Sequence, residues 1–225
     1  MESRITGRQG VMTQTKQREQ ICLLAKSMYD RGLTAGSSGN ISVRLDDGSL
    51  LVTPTGACFG RLDPAGLSHL DVKGRWISGC APTKEMPLHE AFYETRAQTG
   101  AVVHLHSSHS VALSMLEGHD PDCFLPPLTA YSVMRVGKVS LLPYFRPGDP
   151  AMGCAVRSLA GRRSAVMLAS HGPVVAGLEL EAAVFAIEEL EETAKLALML
   201  RGFKSNVLSD FHIADLKSHF DFEWD

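Results

Sequence analysis

The chain has 225 residues, a formal charge of −3 and 44% hydrophobic residues, enough to bury one α/β core without disulfide staples. Its 22 basic residues are scattered rather than gathered into a stripe, which argues against a nucleic-acid partner, and no apolar run approaches the ~20 residues that span a bilayer. The five cysteines, Cys22, Cys58, Cys80, Cys123 and Cys154, form no C-x-x-C pair, so the chain reads as a reduced, cytoplasmic protein with neither a disulfide framework nor a thiolate metal site.

Residues 1–14, rich in Arg, Gly, Gln and Thr, predict a flexible extension, and residues 15–225 a single domain. From Thr15 to Arg31 the residues Ile21, Leu24, Ala25 and Met28 recur at helical spacing, with Gly32 as the stop. The small-residue segment Gly36-Ser37-Ser38-Gly39-Asn40 follows. Two strands, Ile41 to Arg44 and Leu50 to Thr53, flank a turn at Asp46-Asp47-Gly48, and Pro54 and Gly56 end that hairpin. Asp63-Pro64 marks a turn, and Lys73-Gly74-Arg75 the bend of another hairpin before Trp76. Pro87 begins a helix that continues through Leu88, Ala91, Phe92 and Thr95 and is stopped by Gly100. Apolar strands are predicted at Ala101 to Leu105 and Ala165 to Ala169, and Gly172-Pro173 opens a loop after the second. The last long helix runs from Leu180 to Arg201, with Ala183, Ile187, Leu190, Ala194, Ala197 and Leu198 on its apolar face and Gly202 after it. Together these elements predict a central sheet with helices on both faces.

The chemistry centres on His104-Leu105-His106 inside an apolar strand. Side chains two apart on a strand share a face, so both imidazoles reach one ion, while Val103 and Leu105 point to the packed side. Alone, the pair reads equally well as polar strand residues. His171, at the end of a second apolar strand and exposed by the loop after it, adds a third imidazole, and three histidines with an open fourth position are how catalytic zinc is commonly held. The other histidines, His69, His89, His109, His119, His212 and His219, have no comparable partners and read as surface or capping residues. Glu85, just before the Pro87 helix, is the candidate acid or base; without the histidines it is only a carboxylate favoured by a helix dipole. Gly36 to Asn40 and Thr53-Pro54-Thr55-Gly56 read as two anion cradles, because glycines let backbone N–H groups converge while Ser, Thr and Asn add uncharged donors. Either segment alone means only a turn.

In order, Gly39-Asn40, Thr55-Gly56, Thr83-Lys84-Glu85, His104-Leu105-His106 and His171-Gly172 resemble the motifs of the class II aldolase family, over about Gln20 to Gly202. The resemblance implies an α/β three-layer fold whose central sheet is mostly antiparallel. It also implies one zinc ion per subunit on His104, His106 and His171, with another divalent metal as the substitute, and Glu85 handling a proton. A substrate phosphate would lie on Gly39, Asn40, Thr55, Gly56 and Thr83, in a homotetramer with interfacial active sites. Within the family the chain is similar to the 3-oxo-tetronate 4-phosphate decarboxylases through Thr55 to Pro64, Val133-Met134-Arg135, Pro143 to Asp149 and Glu188 to Lys195.

That branch implies decarboxylation to dihydroxyacetone phosphate and carbon dioxide through a metal-stabilised enediolate. The alternative is an aldolase or 4-epimerase acting on a phosphorylated sugar such as fuculose phosphate or ribulose phosphate. A third reading is an interaction module of the adducin-head kind. Lys84 stands where the aldolases carry a second serine, and its ammonium is expected near the phosphate or the enolate oxygens, because a cation held tightly on the departing carboxylate would stabilise the ground state. Tyr131 lies where related aldolases send a tyrosine into the neighbouring subunit's site; a core or interface tyrosine is an equal reading.

Overall fold

The computed structural model describes residues 13–224. Helix α1 (Gln14–Asp30) starts where Thr13 Oγ1 accepts a hydrogen bond from the Lys16 amide at 3.4 Å, satisfying one of the donors a helix start leaves free. It buries Ile21, Ala25 and Met28, a stripe at helical spacing. Residues 1–12 of the expected extension lie outside the described residues, whereas Thr13 caps α1 and Gln14 begins it.

The predicted hairpins are present as β1 (Asn40–Arg44) with β2 (Leu50–Val52), and β3 (Ser68–Leu70) with β4 (Trp76–Ser78). The strands β5 (Ala101–His104), β6 (Val139–Leu142), β7 (Ala165–Leu168) and β8 (Gly172–Gly177) complete one sheet of order β4-β3-β2-β1-β5-β8-β7-β6. Every pairing is antiparallel except β6 with β7, in agreement with the expected mostly antiparallel sheet.

Alternation along β5 divides the core. Ala101, Val103 and Leu105 pack with α1 and with α6 (Leu180–Met199) on one face. Val102 faces the other way, onto α2 (Met86–Thr95) and α5 (Ala151–Ser158). His104 and His106 share the parity of Val102, so both lie on the α2 side. Helix α3 (Ser108–Ser114) packs on α6, and α4 (Ala130–Arg135) and α7 (Asp210–His219) are the remaining α-helices among the described residues. Among the described residues no helix is long and apolar enough to cross a membrane.

Three expectations are corrected. Gly172-Pro173 does not open a loop: a tight turn at Ser170 (φ 55°) leads straight into β8, and His171 is only 7% exposed. A Cβ on Gly172 would lie 2.0 Å from the Leu105 carbonyl oxygen, so the glycine serves close strand approach rather than a turn. The second helix ends at Thr95 rather than running towards Gly100, because Arg96 turns to extended backbone. His89 is not a surface or capping residue: it is fully buried on α2. Helices α3, α4, α5 and α7 and strands β6 and β8 went unpredicted, being short or built from residues whose pattern is ambiguous without their neighbours.

Candidate metal centre and anion cradle

The sheet register brings the site together. Asn40, at the start of β1, stands opposite His104 at the end of β5. His104 Nδ1 donates to the Pro173 carbonyl oxygen at 2.9 Å, which orients the ring and leaves Nε2 bare, the usual arrangement around a metal-binding imidazole. That Nε2 lies 3.1 Å from His106 Nε2. His171 comes from the β7–β8 turn, its ring centre 4.9 Å from that of His104 and 4.7 Å from that of His106. Both of its ring nitrogens are buried without a hydrogen-bond partner, an arrangement that costs free energy unless something else binds there.

Glu85 closes the cluster. It is the N-cap residue of α2, yet its carboxylate makes no capping bond; one oxygen lies 3.5 Å from His104 Nε2 and the other 3.4 Å from His171 Nε2. A tetrahedral ion with ligand bonds of about 2.0–2.1 Å requires ligand atoms roughly 3.3–3.4 Å apart, close to these separations. One ligand atom from each of Glu85, His104, His106 and His171 lies within 4.8 Å of the others. The donor set therefore fits a four-coordinate divalent cation.

Electrostatics favours the same state. Burial pushes the His104 ring down to about 3 and lowers those of His106 and His171 as well, so all three are neutral with lone pairs to offer. Burial pushes the Glu85 carboxyl up, but the His104 ring, the Asn40 hydrogen bond and the His171 ring together outweigh it and hold the group below its ordinary value. The side chain therefore rests ionised.

A cavity of about 280 Å³ opens beside the cluster. Its wall brings together Gly39 and Asn40 from one predicted cradle, Thr55 and Gly56 from the other, and Thr83, Lys84, Glu85 and His106. The two cradle loops meet because Ile41 and Thr53 exchange hydrogen bonds where β1 and β2 begin and end, and the Thr83 segment joins them because Pro54 bridges to Pro82 and the Thr55 amide donates to the Ala81 carbonyl. Gly39 adopts φ +87°, and a Cβ there would lie 2.9 Å from the His104 carbonyl, so the first cradle can touch β5 only with glycine at this position. Lys84 is exposed, and a Cβ on Gly148 would pack 3.4 Å from its Cβ, which brings the Pro147-Gly148 segment to the rim.

Of the predicted site residues, His104 and His171 sit in the cluster behind this cavity, and Tyr131 belongs to neither. On α4 it is 57% exposed, with the Arg135 guanidinium over its ring at 5.1 Å. Missed by the sequence reading were His89, Ser42 and Tyr93, which form a buried network behind Asn40. Their spacing was the available signal: Glu85, His89 and Tyr93 are four apart on α2, and Asn40 and Ser42 two apart on β1.

An eight-stranded mixed sheet carrying a three-histidine, one-carboxylate cluster beside a cavity lined by the two predicted cradles defines a protein of the class II aldolase kind. The chain belongs to that family: residues 19–198 match the model described as Class II Aldolase and Adducin N-terminal domain. It is 47% identical over 216 residues to a 3-oxo-tetronate 4-phosphate decarboxylase of Cupriavidus necator, covering 94% of this chain and 99% of that one. It is 32% identical to an L-fuculose phosphate aldolase of Escherichia coli, covering 90% and 93%. The crystal structure of YgbL from Escherichia coli, a candidate aldolase/epimerase/decarboxylase by its description, superposes with a TM-score of 0.88 at 45% identity, covering 91% and 99%. Both the fold and the family expected from the motifs hold, and decarboxylases and aldolases alike are carbon–carbon lyases.

Proposed function

We propose that this protein is a zinc-dependent decarboxylase that converts 3-oxo-tetronate 4-phosphate to dihydroxyacetone phosphate and carbon dioxide. The observation that carries the reading is the 47% identity, across nearly the whole of both chains, to a relative of that name. The histidine and glutamate cluster and the adjoining cradle support it. His104, His106 and His171 would hold the zinc, with Glu85 at the fourth corner until substrate arrives, and another divalent cation would suit the same donors. When bound, the ion supplies Lewis-acid stabilisation of the charge that develops on the substrate ketone oxygen.

The chain's own residues do the rest. Gly39, Asn40, Thr55, Gly56 and Thr83 line a pocket suited to the phosphate. Binding energy gained there positions the reacting carbon. The bond between the carboxyl carbon and the hydroxyl-bearing carbon breaks, its electron pair moves into an enediolate, and carbon dioxide leaves. No base is needed for that step, since a 3-oxo acid already has its electron sink. One proton must then reach the former hydroxyl-bearing carbon. Glu85 takes up a proton from solvent as the arriving anionic substrate raises its proton affinity by like-charge repulsion, and delivers that proton to the carbon. Because Oε2 accepts the Asn40 amide at 2.7 Å, the transferable proton sits on Oε1. Lys84, on the cavity rim, balances charge at the phosphate or the enolate oxygens, where it favours the transition state over the ground state.

The reading includes a cytoplasmic homotetramer with interfacial sites, to which a neighbouring subunit offers Tyr131. The exposed position of that ring, away from its own chain's cavity, supports this part. The test is incubation of zinc-loaded protein with enzymatically made 3-oxo-tetronate 4-phosphate. Stoichiometric dihydroxyacetone phosphate and carbon dioxide are expected, and no turnover would overturn the reading. The aldolase or epimerase reading, favoured by the 32% identity to an aldolase, would show as aldehyde release from fuculose phosphate or as epimerised ribulose phosphate.

A further inference from the structure

Five buried or nearly buried side chains connect α2 to β1 in a single line. Tyr93 Oη lies 2.8 Å from Ser42 Oγ, which lies 2.7 Å from His89 Nδ1. On its far side the His89 ring bonds through Nε2 to Asn40 Oδ1, and Asn40 Nδ2 donates to Glu85 Oε2 at 2.7 Å. The line has one consistent proton order, set by its last member. Asn40 Nδ2 is the atom that meets the Glu85 carboxylate, so the amide presents its NH₂ end to Glu85 and its oxygen to His89. That oxygen can only accept, so Nε2 carries the imidazole proton. Burial pushes the His89 ring down to about 4, which leaves the ring neutral and Nδ1 bare. Ser42 must then donate to Nδ1, and its oxygen accepts from the Tyr93 hydroxyl.

We propose that His89 is a positioning residue for the reaction: by holding Asn40 Oδ1 it anchors the amide whose NH₂ end meets Glu85, and so places the Glu85 carboxylate. The two ends of an asparagine amide have nearly the same shape but opposite hydrogen-bonding character. Without a donor at Oδ1 the amide loses its anchor on α2, so it can swing and carry the Glu85 carboxylate and its own second N–H out of place. The inference deepens the proposed function and rests on it for its kinetic arm.

The kinetic test compares zinc-loaded wild type, His89→Leu, His89→Gln, Asn40→Ala and the double variant His89→Leu with Asn40→Ala on 3-oxo-tetronate 4-phosphate. Misplacing a reacting group by an ångström costs up to about a hundredfold, so His89→Leu should lower kcat roughly tenfold to a hundredfold. His89→Gln, whose amide nitrogen falls near the Nε2 position, should recover most of the loss. Because His89 acts through Asn40, His89→Leu should add less than about twofold in the Asn40→Ala background, the mark of strong coupling. Losses that multiply would assign His89 a merely structural role and overturn the proposal, as would wild-type kcat in folded His89→Leu.

A second measurement needs no turnover. Long-range proton–nitrogen NMR of the wild-type protein should find His89 neutral with its proton on Nε2, and the Nδ1–H tautomer would overturn the proposal even if His89→Leu fails to fold. Absence of decarboxylation by wild type would sink the functional reading while leaving this measurement to decide the inference.

Discussion

Gly172→Ala tests whether strand packing sets the geometry of the candidate metal centre. An added Cβ would lie 2.0 Å from the Leu105 carbonyl oxygen and 3.2 Å from His104 Cε1, whereas real Cβ contacts stay above 3.0 Å. The start of β8 must therefore move by about 1 Å, carrying the neighbouring His171 away from His104 and His106. Metal–ligand distances tolerate only about 0.2 Å, so zinc affinity should fall by at least the roughly tenfold to hundredfold that disturbing a ligand's support brings. The overpacking itself should cost about 1–3 kcal/mol, seen as a fall in Tm of roughly 2–4 °C per kcal/mol for a chain of this size. Gly100→Ala is the control, because its Cβ would lie 2.1 Å from the Leu178 carbonyl. It pinches the same β5–β8 pair at the opposite end, roughly 17 Å of strand away. The assay is competitive zinc titration of both folded variants beside differential scanning calorimetry. Both should lose stability, and only Gly172→Ala should lose zinc affinity. Wild-type zinc affinity in Gly172→Ala would refute the reasoning.

Other substitutions separate the remaining roles. Glu85→Gln should impair protonation of the enediolate more than release of carbon dioxide, so in heavy water the wild type should place one deuterium stereospecifically on the new carbon and the variant should scramble it; stereospecific labelling at full rate would assign the proton donor elsewhere. Thr83→Val should raise KM for the phosphorylated substrate and leave the already poor turnover of an unphosphorylated analogue unchanged, and equal handling of both substrates by wild type would show the cradle to be a pair of turns. The folded-state pKa of His89 is depressed to about 4, so the stability this neutral ring contributes is present above its unfolded value near 6.5 and is lost as pH falls from there towards 4. Its full size is about 3 kcal/mol, and a chemical-denaturation series between pH 7 and 4 should show His89→Gln losing correspondingly less stability than wild type; identical slopes would contradict the burial argument.

Much of this protein is legible along its chain. Period-2 and period-3.6 patterns locate α1, the two hairpins, β5, β7 and α6, because each of those elements buries one continuous face and writes that demand locally. The ordered motifs from Gly39 to Gly172 were enough to name the family, since each needs a particular chemistry at a particular interval. What the chain could not state locally was which partner each residue meets. Glu85 reads as a helix-cap charge until the β1–β5 register sets Asn40 beside His104 and the start of α2 beside both. His89 reads as one histidine among nine; its role exists only because α2 lays it over Ser42 and Asn40, side chains that lie on another element more than 40 residues earlier. Gly172 reads as a turn because Gly-Pro usually makes one, yet its meaning comes from a carbonyl on a different strand. Local periodicity is set by short-range backbone geometry, whereas the arrangement of a site is set by contacts between residues far apart in the chain. Only the folded sheet decides those contacts.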